Sequence, residues 1–383
     1  MSEAPRSIGV VSVSRSDYGH LRPVLAAIRS APDLALRLFV GGMHLAPAFG
    51  LTVREIETDG WSVAERVEML DGDDSPEGVA RAIGRGTAGF ARAYARQRPS
   101  LLLLLGDRFE MLAAATAALP FGLPVAHLHG GEVTEGAMDN QIRHAITKLA
   151  HLHLTSAEEH TRRIVAMGEE AWRVHTVGAP GLDRFRGMML LSRAELARQL
   201  GLPSEGRWLL VTFHPVTLEY ERTGEHVDEL LAALDKVDAA LAITYPNADT
   251  GGRLIIDRLE EFAARRPRAR LVPSLGEQAY VSLLRHADAM VGNSSSGLIE
   301  APSFGLPVVN IGSRQRGRLR GPNVIDVGEH RDEILAAIAR ALAPGLKERL
   351  AAAPNPYGDG QAAPRILRVL RETPLDRRLI QKR

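Results

Sequence analysis

The sequence predicts an α/β fold made of two doubly wound, Rossmann-like domains, and three observations carry that expectation. Short, near-continuous apolar runs alternate with longer segments in which apolar residues recur every three to four positions. Strands of that kind belong to parallel sheets covered by helices on both faces. The runs form two series of about 180 residues each, and 383 residues suffice for two ordinary cores. A turn-rich stretch, GAPGLDRFRG at 178–187, separates the two series and is the expected hinge.

In chain order, the first series places strands at 8–13, 36–40, 101–105, 124–128, 152–155 and 174–177. The second places them at 208–213, 240–244, 270–272, 289–291, 307–311 and 324–327. Helical spacing is clearest at 79–95, 109–118 and 229–237, each covering a neighbouring strand. The expected domains are 1–180 and 188–360. A helix and tail follow at 361–383, with a charged end expected to fray.

Composition narrows the function. Net charge is +1, so neither broad nucleic-acid binding nor attraction to anionic membranes has support. The chain has no cysteine, which removes disulfides, thiolate catalysis and cysteine-held metals. The first residues carry no signal-peptide run and no stretch reaches membrane-span length, so a cytoplasmic protein is expected. A glycine-rich dinucleotide turn and a phosphate-binding loop ending in Gly-Lys are both missing, which weighs against nicotinamide and ATP chemistry.

In open parallel sheets, ligands sit beyond the carboxyl ends of the strands, and the informative motifs fall there. In AMVGNSSSGLIEA a buried strand ends at Val291, Gly292 and Asn293 turn the chain, and Ser294, Ser295 and Ser296 begin a helix. Free amides and small hydroxyls at such a point suit a phosphate; ordinary N-capping is the plainer alternative. Glu300, one turn on, is placed to accept hydrogen bonds from a ribose diol, or it is simply a solvated helix carboxylate. LLLLLGDRFEM delivers Asp107 and Arg108 to a strand end, as a base with a phosphate clamp or as an N-cap with a surface arginine. VVSVSRSDYGHL does the same with Arg15, Ser16 and Asp17. In the second series VTFHPVT ends in His214, ITYPNADTGG in Asn247, and IGSRQRGRLRG supplies Arg314 among other arginines.

The densest stretch, HLHGGEVTEGAMDNQIRHAITKLAHLH at 127–153, holds five histidines and three carboxylates. A metal reading would use the pairs His127/His129 and His151/His153, but half of such side chains point away into covering helices. His151 and His153 read better as hydrogen-bonded histidines near a strand start. A glycine turn after the strand exposes His129, Glu132 and Asp139 beside Asp107. Crowded titratable groups of this kind push one another's pKa values apart, as acid/base chemistry requires.

With these motifs in hand, residues 7–330 resemble the hydrolysing UDP-N-acetylglucosamine 2-epimerases of sialic-acid and legionaminic-acid biosynthesis. The resemblance rests on SRSDYGHL, GMHLAPAFG, GDRFEMLAAA, the 127–153 stretch, HPVT, YPNAD and GNSSSGLIEAPSFGLPVVNIGSRQRGR in combination. Non-hydrolysing relatives differ at 106–108 and 129–132. The resemblance implies a glycosyltransferase-B type fold with the active site in the interdomain cleft, chemistry without metal or redox cofactor, a UDP-sugar substrate and a homo-oligomer. It assigns Arg15 and Arg108 to the diphosphate, Ser294 and Ser295 to the phosphate side and Glu300 to the ribose. His214, Asn247 and Arg314 fall on further nucleotide-side positions, and Asp107 and Asp139 match two catalytic carboxylates. Where some members carry a catalytic glutamate, this chain has His129. That leaves His129, Glu132 or Asp139 to carry the proton transfer, with Asp107 and His214 completing the set.

The implied reaction removes a proton from C2 as UDP leaves C1, then adds water to the resulting glycal and reprotonates C2 on the opposite face. Two proton-transfer groups are needed, and donors around the diphosphate must assist departure. A glycosyltransferase of the same fold and a non-catalytic sugar-nucleotide sensor are the rival readings. The sequence leaves open which 2-acetamido sugar is used and whether the nucleotide is UDP or GDP.

Overall fold

A computed structural model describes all residues except 1–3, 74, 135–137, 247–250, 273–274 and 383. The chain divides into two compact units, residues 1–184 with 357–383, and residues 185–356. The first holds a parallel sheet of seven strands: β1 (Arg6–Ser12), β2 (Leu34–Gly41), β3 (Val63–Val67), β4 (Leu101–Leu105), β5 (Val125–Leu128), β6 (Leu152–Thr155) and β7 (Val174–Thr176). Their spatial order is β3-β2-β1-β4-β5-β6-β7. The second unit has six parallel strands: β8 (Trp208–Thr212), β9 (Ala240–Thr244), β10 (Ala269–Val272), β11 (Ala289–Gly292), β12 (Val308–Ile311) and β13 (Val324–Val327), in the order β10-β9-β8-β11-β12-β13. Both are doubly wound.

The five leucines of β4 explain why that segment cannot be anything but a central strand. Alternate side chains point to opposite faces, so Leu101, Leu103 and Leu105 enter one core with Ile8, Val10, Leu21 and Leu25. Leu102 and Leu104 enter the other with Val11, Phe39, Phe90 and Met111. Each fully buried leucine contributes roughly 1.5–3 kcal/mol, and no polar residue would be tolerated on either side. The same division recurs in the second unit, with Leu209 and Val211 on one face and Trp208 and Leu210 on the other.

Two expectations need correction. The strand β3 was not foreseen, because VAERV at a sheet edge sets two adjacent charged residues, Glu65 and Arg66, among three apolar ones and so shows neither alternation nor the continuous apolar signal of the central strands. The charged C-terminus does not fray. Ile366, Val369 and Leu370 form an apolar stripe on the helix Ala362–Glu372 that joins the core of the first unit. Beyond it, Leu379 is buried, the Arg173 guanidinium donates to the Leu379 carbonyl at 2.7 Å, and Lys382 reaches buried Glu169 at 2.7 Å.

In each sheet the strand order reverses once, between β1 and β4 and between β8 and β11. Those reversals open a crevice at the carboxyl ends of the strands, where doubly wound proteins bind ligands. Among the described residues no helix is long and apolar enough to cross a membrane.

Candidate active site

The first unit gathers its acid/base groups at the ends of β4 and β5. Gly106 takes φ +79 as the chain leaves β4, and its carbonyl accepts a 2.7 Å hydrogen bond from Nε2 of fully buried His127 on β5. Asp107 follows, half-buried. One strand over, His129 leaves β5 with φ +62, a left-handed conformation that costs a histidine roughly 1–3 kcal/mol. The second of the two glycines behind it is a structural necessity: at Gly131, with φ +79, a side chain would meet the His160 carbonyl at 2.5 Å. The strained turn aims the ring of His129 back along its own loop, where Nδ1 lies 2.6 Å from Glu132 Oε1.

Glu132 Oε1 also accepts the Ser156 hydroxyl at 2.6 Å, and that serine meets His160 Nδ1 at 2.9 Å. Burial works to raise the Glu132 carboxyl, but the charge and hydrogen bond of His129, with His160 and Ser156, hold it well below the usual carboxylate range. An ionised Glu132 can only accept, so Nδ1 of His129 carries the proton. Nε2, the ring's other nitrogen, is buried without a hydrogen-bond partner in the structure. Beside it lies His20, with ring centres 5.8 Å apart. Burial, followed by the charges of His129 and Arg184, lowers the His20 pKa to about 4, which keeps that ring neutral.

Arg143 joins the two halves of this constellation. Its guanidinium is 4% exposed, pairs with Asp107 Oδ2, and donates to the Glu132 carbonyl and the Thr134 hydroxyl at 2.9 Å each. Asp139 lies four residues earlier in the helix Met138–Leu149, hence on the same face, and is half-buried. Arg108, the N-cap residue of the helix Phe109–Ala118, forks onto the fully buried carboxylate of Glu110 at 3.0 and 3.2 Å. Burial pushes the Glu110 carboxyl up and Arg108 only partly offsets it. Arg15 opens the helix Arg15–Arg29, largely exposed, with Glu55 3.5 Å away.

His151 and His153 of the crowded stretch have separate partners. His151 Nδ1 accepts from the Val125 amide at 3.1 Å, and His153 Nε2 donates to Glu169 at 3.0 Å. Burial lowers the His127 pKa to about 3 and the His151 pKa to about 4. These rings are neutral buttresses of the strand ends.

In the second unit the organising residue is Asn293, 1% exposed at the end of β11. Its side chain exchanges two hydrogen bonds with the backbone of His214, at 2.7 and 2.8 Å. Its carbonyl accepts from Gln315 at 2.7 Å and Arg314 at 3.3 Å. Gly292 before it must be glycine, since at φ +137 a Cβ would stand 1.9 Å from the Thr212 carbonyl. His214, Ser294, Ser295 and Arg314 are therefore brought to one edge of this unit. The helix after the serines is a single turn, Ser296–Ile299, shorter than the sequence suggests, so hydroxyls and loop amides outweigh any helix dipole there. Glu300 accepts from Ser296, which in turn accepts from the Tyr280 hydroxyl at 2.6 Å. Asn247 lies outside the described residues.

Sequence reasoning missed Arg143, Glu110, Ser156 and Asn293. Arg143 carried a signal, its i,i+4 spacing from Asp139; Glu110 carried another, two residues beyond Arg108 in a run otherwise apolar. Ser156, whose hydroxyl reaches Glu132, and Asn293, whose side chain holds the backbone of His214, carried none.

A family model described as UDP-N-acetylglucosamine 2-epimerase matches residues 26–371. The chain is 37% identical to the UDP-N,N'-diacetylbacillosamine 2-epimerase (hydrolyzing) of Legionella pneumophila, over 98% of both sequences. It is 38% identical to the GDP/UDP-N,N'-diacetylbacillosamine 2-epimerase (hydrolyzing) of Campylobacter jejuni, over 84% of both. The UDP-GlcNAc 2-epimerase of Neisseria meningitidis, solved with UDP-GlcNAc bound, has the same fold, with a TM-score of 0.79 at 16% identity over 96% of this chain and 100% of that one.

Proposed function

The chain belongs to the UDP-N-acetylglucosamine 2-epimerase family, among its hydrolysing members, and on that premise we propose which sugar it takes and which residues do the chemistry. The enzyme is a nucleotide-sugar 2-epimerase of the hydrolysing type. Its substrate is UDP-2,4-diacetamido-2,4,6-trideoxyglucose, the sugar nucleotide named by the two relatives above, rather than UDP-GlcNAc. It works as a homo-oligomer in the cytoplasm.

The observation that carries the mechanism is the His129–Glu132 couple. Glu132 is a positioning residue: its Oε1 accepts from both His129 and Ser156 and so fixes the ring. His129 Nε2 is the proton-transfer atom on one side of C2. Asp107, paired with Arg143, and Asp139 on the same helix face as that arginine serve the other. A C2 proton is barely acidic, so breaking the C1–O bond must run with its removal. Arg15, Arg108, Ser294, Ser295, His214, Asn247 and Arg314 stabilise the charge that builds on the departing diphosphate, and Glu300 holds the ribose. The C1–O electrons leave with UDP, and the C2–H electrons form the C1–C2 double bond. Water oxygen then adds at C1, and a proton returns to C2 from the opposite face, giving the free 2-epimer.

An acceptor-free incubation tests this reading. The purified protein, given the diacetamido sugar nucleotide and UDP-GlcNAc separately, should release UDP and free 2-epimer fastest from the former. Turnover only when an acceptor sugar is added would make it a glycosyltransferase. Tight binding with no turnover would make it a sensor.

A further inference from the structure

We propose that Glu219, His226 and Glu329 form a divalent-cation site on the second unit, separate from the acid/base groups. Glu219 lies in the 3-10 turn Thr217–Arg222 that follows the β8 loop, His226 in the helix Thr223–Asp235, and Glu329 just after β13. One ligand atom from each residue lies within 4.8 Å of the other two. Atoms bound about 2.1 Å from one metal stand roughly 3–4.2 Å apart, so a small inward movement would complete the geometry.

The histidine makes this more than two neighbouring carboxylates. His226 is 2% exposed, has a ring nitrogen within 4.8 Å of a carboxylate oxygen of each glutamate, and its Nε2 is buried with no hydrogen-bond partner. Buried polar groups are rarely left so, and an unmade bond of this kind costs roughly 1–3 kcal/mol. The carboxylates are also held the way metal ligands are held. Ser313 donates to Glu219 at 2.6 Å, the outer hydrogen bond that orients a ligand. Glu329 packs against Gly312, where a Cβ would come within 2.5 Å of its carboxylate oxygen. The neighbouring Arg222 adds positive charge, but its guanidinium is forked onto Glu225 at 3.1 Å. One imidazole nitrogen with two carboxylate oxygens suits Zn²⁺ or Mn²⁺ better than the all-oxygen cations.

The site would tie together the turns that follow β8, β12 and β13, and Ser313 immediately precedes Arg314. The cation would therefore stiffen the turn that presents Arg314, a consequence that rests on the nucleotide role proposed above.

The test is calorimetric titration of the full-length, chelator-stripped protein with ZnCl₂ and with MnCl₂, no nucleotide present. One equivalent should bind, at least about tenfold more weakly to Glu329→Gln and to His226→Asn. Glu329→Gln changes a partly exposed side chain, so a folding failure at His226 leaves the test intact. No saturable binding of either ion, or binding unchanged in Glu329→Gln, overturns the proposal. Turnover of the wild type should persist in EDTA, because none of the three residues takes part in the chemistry. Loss of turnover on chelation, restored by one ion, would instead overturn the metal-free mechanism and leave the titration to decide the site.

Discussion

Glu132→Gln separates orientation of His129 from mere support of the loop. The wild-type carboxylate receives two hydrogen bonds on one oxygen, each 2.6 Å long, from His129 and Ser156. A glutamine keeps one carbonyl acceptor but loses the charge, so the change removes about one charge-assisted bond, roughly 1.5–3 kcal/mol. If the ring must be held with Nε2 toward C2 only as the proton moves, that energy appears in kcat, a fall of about 10- to 10²-fold. KM and UDP affinity should stay near wild type, because the roles proposed above give Glu132 no contact with the nucleotide. The variant should also lose stability with a defined pH dependence. The folded carboxyl is held below its unfolded value of about 4.3, so its contribution is complete above that pH and lost as pH falls through the lower folded value. The difference in Tm between wild type and variant should therefore be full at pH 7 and narrow progressively as pH falls below about 4. A variant with lowered Tm and undiminished kcat would refute the orienting role and reduce Glu132 to a loop support.

Other expectations follow from the same site. Asp107→Asn and His129→Asn should each cost at least about 10² in kcat with UDP binding retained, the usual worth of a placed proton-transfer group; near-normal turnover in either removes it from the mechanism. Ser294→Ala combined with Ser295→Ala should weaken UDP at least about tenfold in calorimetry, since two donors to a dianion disappear; unchanged affinity would move the diphosphate elsewhere. His127 stays neutral in the fold with a pKa near 3 against about 6.5 unfolded, so the unfolded chain binds the extra proton between those values and stability falls as pH drops from 6.5 toward 3. His127→Gln should flatten that acid limb in pH-dependent unfolding, and an unaltered limb would show that other groups govern it.

The parts of the fold most legible in the sequence were those with a single physical explanation. Five consecutive leucines admit only a doubly covered strand, and the helix Phe109–Ala118 stops just before Pro120. The strand Val63–Val67 was illegible because an edge strand needs only one apolar face, and its two charged residues masked the pattern. The same logic divides the site. His129, Glu132 and Asp107 could be found because titratable groups beside a glycine turn have no packing purpose. Their pairing could not, since it depends on a left-handed histidine and on an arginine reaching across from the next helix. The serine loop was visible as a run of hydroxyls, whereas the asparagine that fixes its place acts by pairing its side chain with the backbone of His214 on another loop.

The central claim is that a proton leaves C2 and another returns from solvent on the opposite face while UDP departs. Proton NMR of the reaction in heavy water, with the diacetamido sugar nucleotide as substrate, tests it directly. The account predicts UDP and free sugar in equal amounts, with one deuterium at C2 and the C2 configuration inverted. A product that keeps its original proton at C2, or its original configuration, would contradict it.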